Sequence, residues 1–353
     1  MPTTYAIPNG RTAMDATLWT GDGSSSRAIL NADNGTVGFK PDFVWVKNRN
    51  GTYNHYEYDS VRGVGNFLTV NDTVAEGSFG SIGLTAFNTN GFSIGNGGSI
   101  NQSASTYVGW QWVAGQGVNN TNTSGTITST VSANTTTGFS IVTYTGTGTT
   151  GTVGHGLSTA PSMIVLKVRN QVDNWLVYHS GLPTPATNTI ILNTTGAVQT
   201  GNLNWNSTNP TSSVFSVYNP GSGGYSNGNG YTYVAYCWAT VAGFSQFGSY
   251  TGNGSTDGPF VYTGFRPKFI LIKRTDSVGD WLAKDTSRNT SNSATATLYP
   301  DLNNAETTGS ADMDILSNGF KCRSTGSGDL NGSGGTYIYA AFAENPFKYA
   351  NAR

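Results

Sequence analysis

The sequence predicts an all-β protein built from three tandem antiparallel β-sandwich domains of the jelly-roll or immunoglobulin-like type. Three observations carry that expectation. Gly, Thr, Ser and Asn make up 167 of the 353 residues, and these types favour turns and strands over helices. Apolar residues fall in short runs punctuated by Asn-Gly pairs such as Asn34-Gly35, Asn90-Gly91 and Asn318-Gly319, the pattern of strands joined by tight turns. One set of motifs returns three times at spacings above 100 residues, the size of a domain and too long for a solenoid unit.

The composition also excludes several classes. Aromatic residues reach 12% with a net charge of −1, the opposite of a disordered chain. Charged residues are only 10%, against about 25% in an ordinary soluble protein. No apolar run approaches the roughly 18 residues of a membrane span, so no membrane partner is expected. With 18 Lys and Arg against 19 Asp and Glu there is no basic excess, and no nucleic-acid partner is expected. The start of the chain lacks a basic stretch followed by an apolar one, so no secretory signal is expected.

Taken in order, residues 1–17 read as an N-terminal arm. Repeats follow at 18–117, 138–243 and 244–353. A polar linker is expected at 118–137, flexible by its Asn, Thr and Ser content. Each repeat opens on an aromatic-Thr-Gly-x-Gly turn: Trp19 to Gly23, Tyr144 to Gly148 and Tyr250 to Gly254. A proline then leads a four-residue apolar run that ends in lysine, at Pro41/Lys47, Pro161/Lys167 and Pro267/Lys273. Such runs suit strands buried on both faces. Fourteen residues past each proline sit His55, Trp175 and Trp281. A closing strand begins Thr106-Tyr107, Thr232-Tyr233 and Thr336-Tyr337.

Motifs with catalytic associations read here as structural. Gly91 to Gly95 fits the nucleophile pattern around Ser93, but a turn follows where a helix is required. Gly146 to Gly151 fits a dinucleotide fingerprint, also without its helix. His55, His155 and His179 have no short helical or strand spacing that would make them metal ligands or a triad. Asp312 and Asp314 offer only a fraction of the oxygens a calcium ion needs. Cys237 and Cys322 fall in different repeats and are expected as free thiols. No catalytic, cofactor or metal residues are therefore assigned, and the chain is expected not to be an enzyme. The loops rich in Tyr, Gly, Ser and Asn use the residue set of adaptable binding surfaces. Tyr53, Tyr56, Tyr218, Tyr225 and Tyr231 are the candidates for receptor contact, with packing between units as the competing role.

The repeated pieces resemble a β-domain found in virion proteins of tailed bacteriophages, particularly marine ones. The matching segments are aromatic-Thr-Gly-Asn-Gly-Ser, Gly-Phe-x-Pro with its strand ending in Lys, Asn-Gly-Phe, and the stretch Gly334 to Phe347. The resemblance implies a virion structural or tail-fibre protein, assembled in the host cytoplasm and released by lysis. It implies other virion proteins as partners and self-association, a homotrimer by analogy with fibres. A host-surface glycan or protein would be the receptor, bound through multivalent weak contacts, with the N-terminal arm docking the chain to the particle. The alternatives are a capsid-decorating or cement protein of the phage head and a cell-surface carbohydrate-binding adhesin.

Overall fold

The computed structural model describes residues 4–31, 38–201, 203–219, 226–309, 311–325 and 328–346. It is nearly all β. Among the described residues the repeats contribute antiparallel sheets of six, seven and four strands, and four strands of each follow the same order. In the first repeat that order is Met14–Thr20, Thr106–Trp112, Phe43–Asn48, Tyr56–Asp59. The second runs Phe139–Thr145, Thr232–Trp238, Met163–Val168, Leu176–His179, and the third Ser245–Thr251, Thr336–Pro346, Phe265–Arg274, Trp281–Asp285. A small antiparallel sheet lies in each repeat: Arg27–Leu30, Gly91–Ile94 and Leu84–Asn88; Gly151–Gly154 with Val214–Val217; Phe260–Tyr262, Gly319–Cys322 and Met313–Leu316.

The proline-led runs form strands buried throughout. Alternation explains why. Phe43 and Trp45 point into one core while Val44 and Val46 point into another. In the second repeat Met163 and Val165 share the first core, and Ile164 and Leu166 belong to a separate one. The first core takes residues from all three repeats. At its centre Trp112, Trp238 and Phe342, at matching places in the closing strands, form a triangle of rings. Their centroids lie 6.1, 5.4 and 6.4 Å apart, and such pairs add about 0.5–1.5 kcal/mol each beyond their area.

The opening turn owes its form to one buried asparagine per repeat. Asn101, Asn227 and Asn331 are fully buried. Each side chain accepts from the backbone N–H of Asp22, Thr147 or Asn253 and donates back across the turn. The first glycine is required by close approach: a Cβ at Gly146 would lie 2.1 Å from the Gly228 carbonyl oxygen, and one at Gly252 would lie 2.4 Å from that of Gly332. The next glycine has positive φ, 77° at Gly148 and 68° at Gly254. Trp19, Tyr144 and Tyr250 stack within 12° of parallel on Tyr107, Tyr233 and Tyr337.

Two expectations need correction. Residues 118–137 hold strands, Asn120–Asn122 and Ser129–Asn134, which extend the second repeat's sheet beside Phe139–Thr145. Ile127 and Val131 are buried there, and Thr suits a half-buried strand. Where the chain leaves the first repeat, Asp42 accepts from the N–H groups of Ala114, Gln116 and Gly117 at 2.8, 2.8 and 2.9 Å. The N-terminal arm is likewise no free tail where it is described. Met14–Thr20 pairs with Thr106–Trp112. Asp15 lies 3.3 Å from Lys268, and the Ala16 carbonyl accepts from Ser287 Oγ at 2.6 Å.

Candidate functional site

The repeats are joined by one contact used three times. Lys47, Lys167 and Lys273 are fully buried. Each donates through Nζ to a carbonyl of the neighbouring repeat: Lys167 to Thr73 at 2.9 Å, Lys273 to Thr195 at 3.2 Å, and Lys47 to Asn303 at 3.2 Å. Each also donates to a carbonyl of its own repeat. Burial lowers all three ammonium groups to about 8. The aromatic position works beside the lysine. Trp175 Nε1 donates to Thr69 O, and Trp281 Nε1 to Ile191 O, both at 2.9 Å. His55 takes that place in the first repeat, against the Tyr299 backbone, and accepts from Trp45 Nε1 at 3.1 Å. A third contact completes the set: Glu76 N–H to Arg169 O, Val198 N–H to Thr275 O and Glu306 N–H to Arg49 O, at 2.7, 2.9 and 2.7 Å. The second repeat rests on the first, the third on the second, and the first on the third. The chain is a closed pseudo-three-fold ring.

Two of the three junctions are charged. Between the first and second repeats, Arg62 pairs with Asp59 and with Glu76, the latter at 2.9 Å. Arg169 pairs with Glu76 at 2.8 Å, and Tyr236 OH donates to Asp59 at 2.8 Å. Between the third and first, Arg288 pairs with Asp285 and Glu306, and Arg49 with Glu306 at 2.8 Å. Trp110 Nε1 donates to Asp285 at 3.0 Å. The junction of the second and third repeats places His179, Leu182, Val198 and Thr275 at the matching points. His179 Nδ1 accepts from the Gly181 N–H, so Nε2 donates to Tyr339 O at 3.1 Å. Burial holds this imidazole neutral, lowering it to about 4.

The residues singled out by motif fall into structural roles. Ser93 lies in a strand and accepts from Asn88 Nδ2 at 2.8 Å. Gly146 to Gly151 spans the opening turn and the first residue of a small-sheet strand. His155 Nδ1 accepts from the Leu157 N–H and Nε2 faces Thr211 O. Among the described residues no three His, Cys, Asp or Glu converge on a metal position, and Asp314 pairs with Arg323. Cys237 and Cys322 are buried free thiols, and burial raises both.

The candidate contact tyrosines separate. Tyr56 is buried edge-on against Phe67 and Phe79. Tyr53 is half-buried and its hydroxyl is 2.6 Å from Gln102 Oε1. Tyr231 is half-buried against the second repeat's core. Tyr218 is half-buried, its N–H donating to Ser226 Oγ at 2.9 Å. Tyr225 lies outside the described residues. The junction carboxylates and arginines were not singled out from the sequence. Their signal was present as Asp-x-x-Arg at Asp59/Arg62 and again at Asp285/Arg288, hidden because the second repeat replaces it with His179/Leu182.

No helix among the described residues is long and apolar enough to cross a membrane. Comparison with curated proteins and with solved structures found no match. A single family profile spans all three repeats, residues 11–346. The chain belongs to that family, described as Domain of unknown function (DUF7483).

Proposed function

We propose that this family member is a non-enzymatic structural component of a tailed-bacteriophage particle, a tail fibre or peripheral appendage that contacts the host surface. The observation that carries this reading is the closed pseudo-three-fold ring. It gives one chain the axial symmetry that symmetric assemblies usually reach by oligomerising. The resemblance of the Gly334 to Phe347 segment to virion β-domains supports it. So does the use of charge: a chain with few charges spends many of them in buried junctions, which favours mechanical integrity over a reactive cleft. The rims near Tyr53, Tyr218 and Tyr231 would meet a host glycan or protein, and other virion proteins would hold the opposite end.

The same three-fold favours a second reading, a decorating protein seated on a three-fold position of the head. Antibody labelling of purified particles separates the two. Label along the tail is the expected result. Label confined to the capsid selects the decorating role, and particles that bind no antibody and lack the chain by mass spectrometry overturn both.

A further inference from the structure

The axis where the repeats meet is not solid. A cavity of about 20 Å³ lies among the three-ring triangle, Trp45 and Glu57. Most of its wall comes from matching places in the three repeats, and it contains one carboxyl. Glu57 stands where the second and third repeats carry Val177 and Ala283, all three buried. Glu57 Oε2, Trp112 Nε1 and Trp238 Nε1 are buried and have no hydrogen-bond partner within the protein. Leaving such groups unpaired is unfavourable, because each loses its hydrogen bonds to water on burial and gains none in return. Burial, only partly offset by Arg62, pushes the Glu57 carboxyl well above the usual carboxylate range. A protonated carboxyl both donates and accepts, and an indole N–H donates.

We propose that this axial cavity is a hydration site for one ordered water, anchored by Glu57 and the indole N–H groups of Trp112 and Trp238. The volume fits one water and little more, since a buried water needs roughly 10–15 Å³ and two to four polar partners. An apolar guest would leave the three polar atoms unpaired. A bare cation would meet a single carboxyl where hard cations take six or more oxygens.

A crystal structure of the full chain at a resolution that shows ordered water, with xenon and rubidium soaks, tests this. The expected result is a full-occupancy peak within hydrogen-bond distance of Glu57 Oε2, with no anomalous signal from either soak. Glu57→Val, which copies the second repeat, should lose the peak and admit xenon. Glu57→Gln should keep it, and this second variant carries the test if the valine variant does not fold. An absent peak in the native chain, a peak that survives in Glu57→Val, a peak lost from Glu57→Gln, or rubidium in the cavity would overturn the assignment.

Discussion

Asp280 and Asp301 occupy positions that the other repeats give to asparagine. Asn71 Nδ2 donates to Asn54 at 2.9 Å, and Asn193 Nδ2 to Asn174 at 2.9 Å. Asn71 and Asn193 also accept a strand N–H through Oδ1, from His55 and Trp175, as Asp301 Oδ1 does from Trp281 at 3.0 Å. Two neighbouring carboxylates disfavour being charged at once. Burial first, and then the Asp280 charge, raise Asp301 to about 7. A raised acid favours the folded state fully at pH below its unfolded value of 3.8, and that contribution is lost as pH climbs through about 7. Asp301→Asn keeps the acceptor and removes the loss. Its stability relative to the native chain should grow by about 3 kcal/mol between pH 5 and about 7, at roughly 1.4 kcal/mol per unit, and level off by pH 8. Parallel denaturant titrations at these pH values measure this, and a constant difference would refute it. A second expectation concerns Gly252. Gly252→Ala should cost about 1–3 kcal/mol or more by overpacking against the Gly332 carbonyl, read as a lower midpoint in urea.

At the level of strands and junctions, the two charged sets and the one largely apolar set solve the same packing problem. Removing one member of a buried network strands its partners, at about 3–5 kcal/mol, whereas replacing the whole set by apolar groups can be neutral. Arg62→Leu alone should therefore lower stability by that amount. Adding Asp59→His, Glu76→Val and Arg169→Thr, which copies His179, Val198 and Thr275, should restore most of it. Thermal melts of the single and quadruple variants decide the matter, and a quadruple variant no better than the single would show that the junctions are not interchangeable. Much of the element layout was legible beforehand. The Pro-to-Lys runs announced doubly buried strands because they lack the polar alternation of a half-exposed one. The strand Ser129–Asn134 was not legible, because its Ser, Thr and Asn content matches that of a loop and only pairing with Phe139–Thr145 selects the strand.

For the whole molecule, the repeats were readable as units of sequence, but their mutual burial was not. Whether Trp112 or Trp238 fills its own sandwich or a shared axis depends on contacts more than 100 residues apart, to which local periodicity is blind. Burial of Lys47 was hidden for the same reason, since Asn303 lies 256 residues away. A shared core predicts cooperative unfolding. Calorimetry should give one transition, coincident with the loss of tryptophan fluorescence, whereas three separable steps would mean independent sandwiches. Removing residues 1–16 should lower the melting temperature, because it strips the buried Met14, Asp15 and Ala16 from the first sheet.

The ring also has a schedule. The first repeat finds its partners Asn303 and Glu306 only after about 250 further residues have been made. At roughly 5–20 residues per second, a ribosome leaves that face of the first repeat without its partners for about 10–50 seconds. Throughout that interval Trp45 and Trp110, which pack on Phe269, belong to a half-built wall, and a neighbouring nascent chain could supply the missing third repeat. The order of synthesis thus makes the last repeat the closing piece, and it makes strand exchange between chains the characteristic error of this architecture.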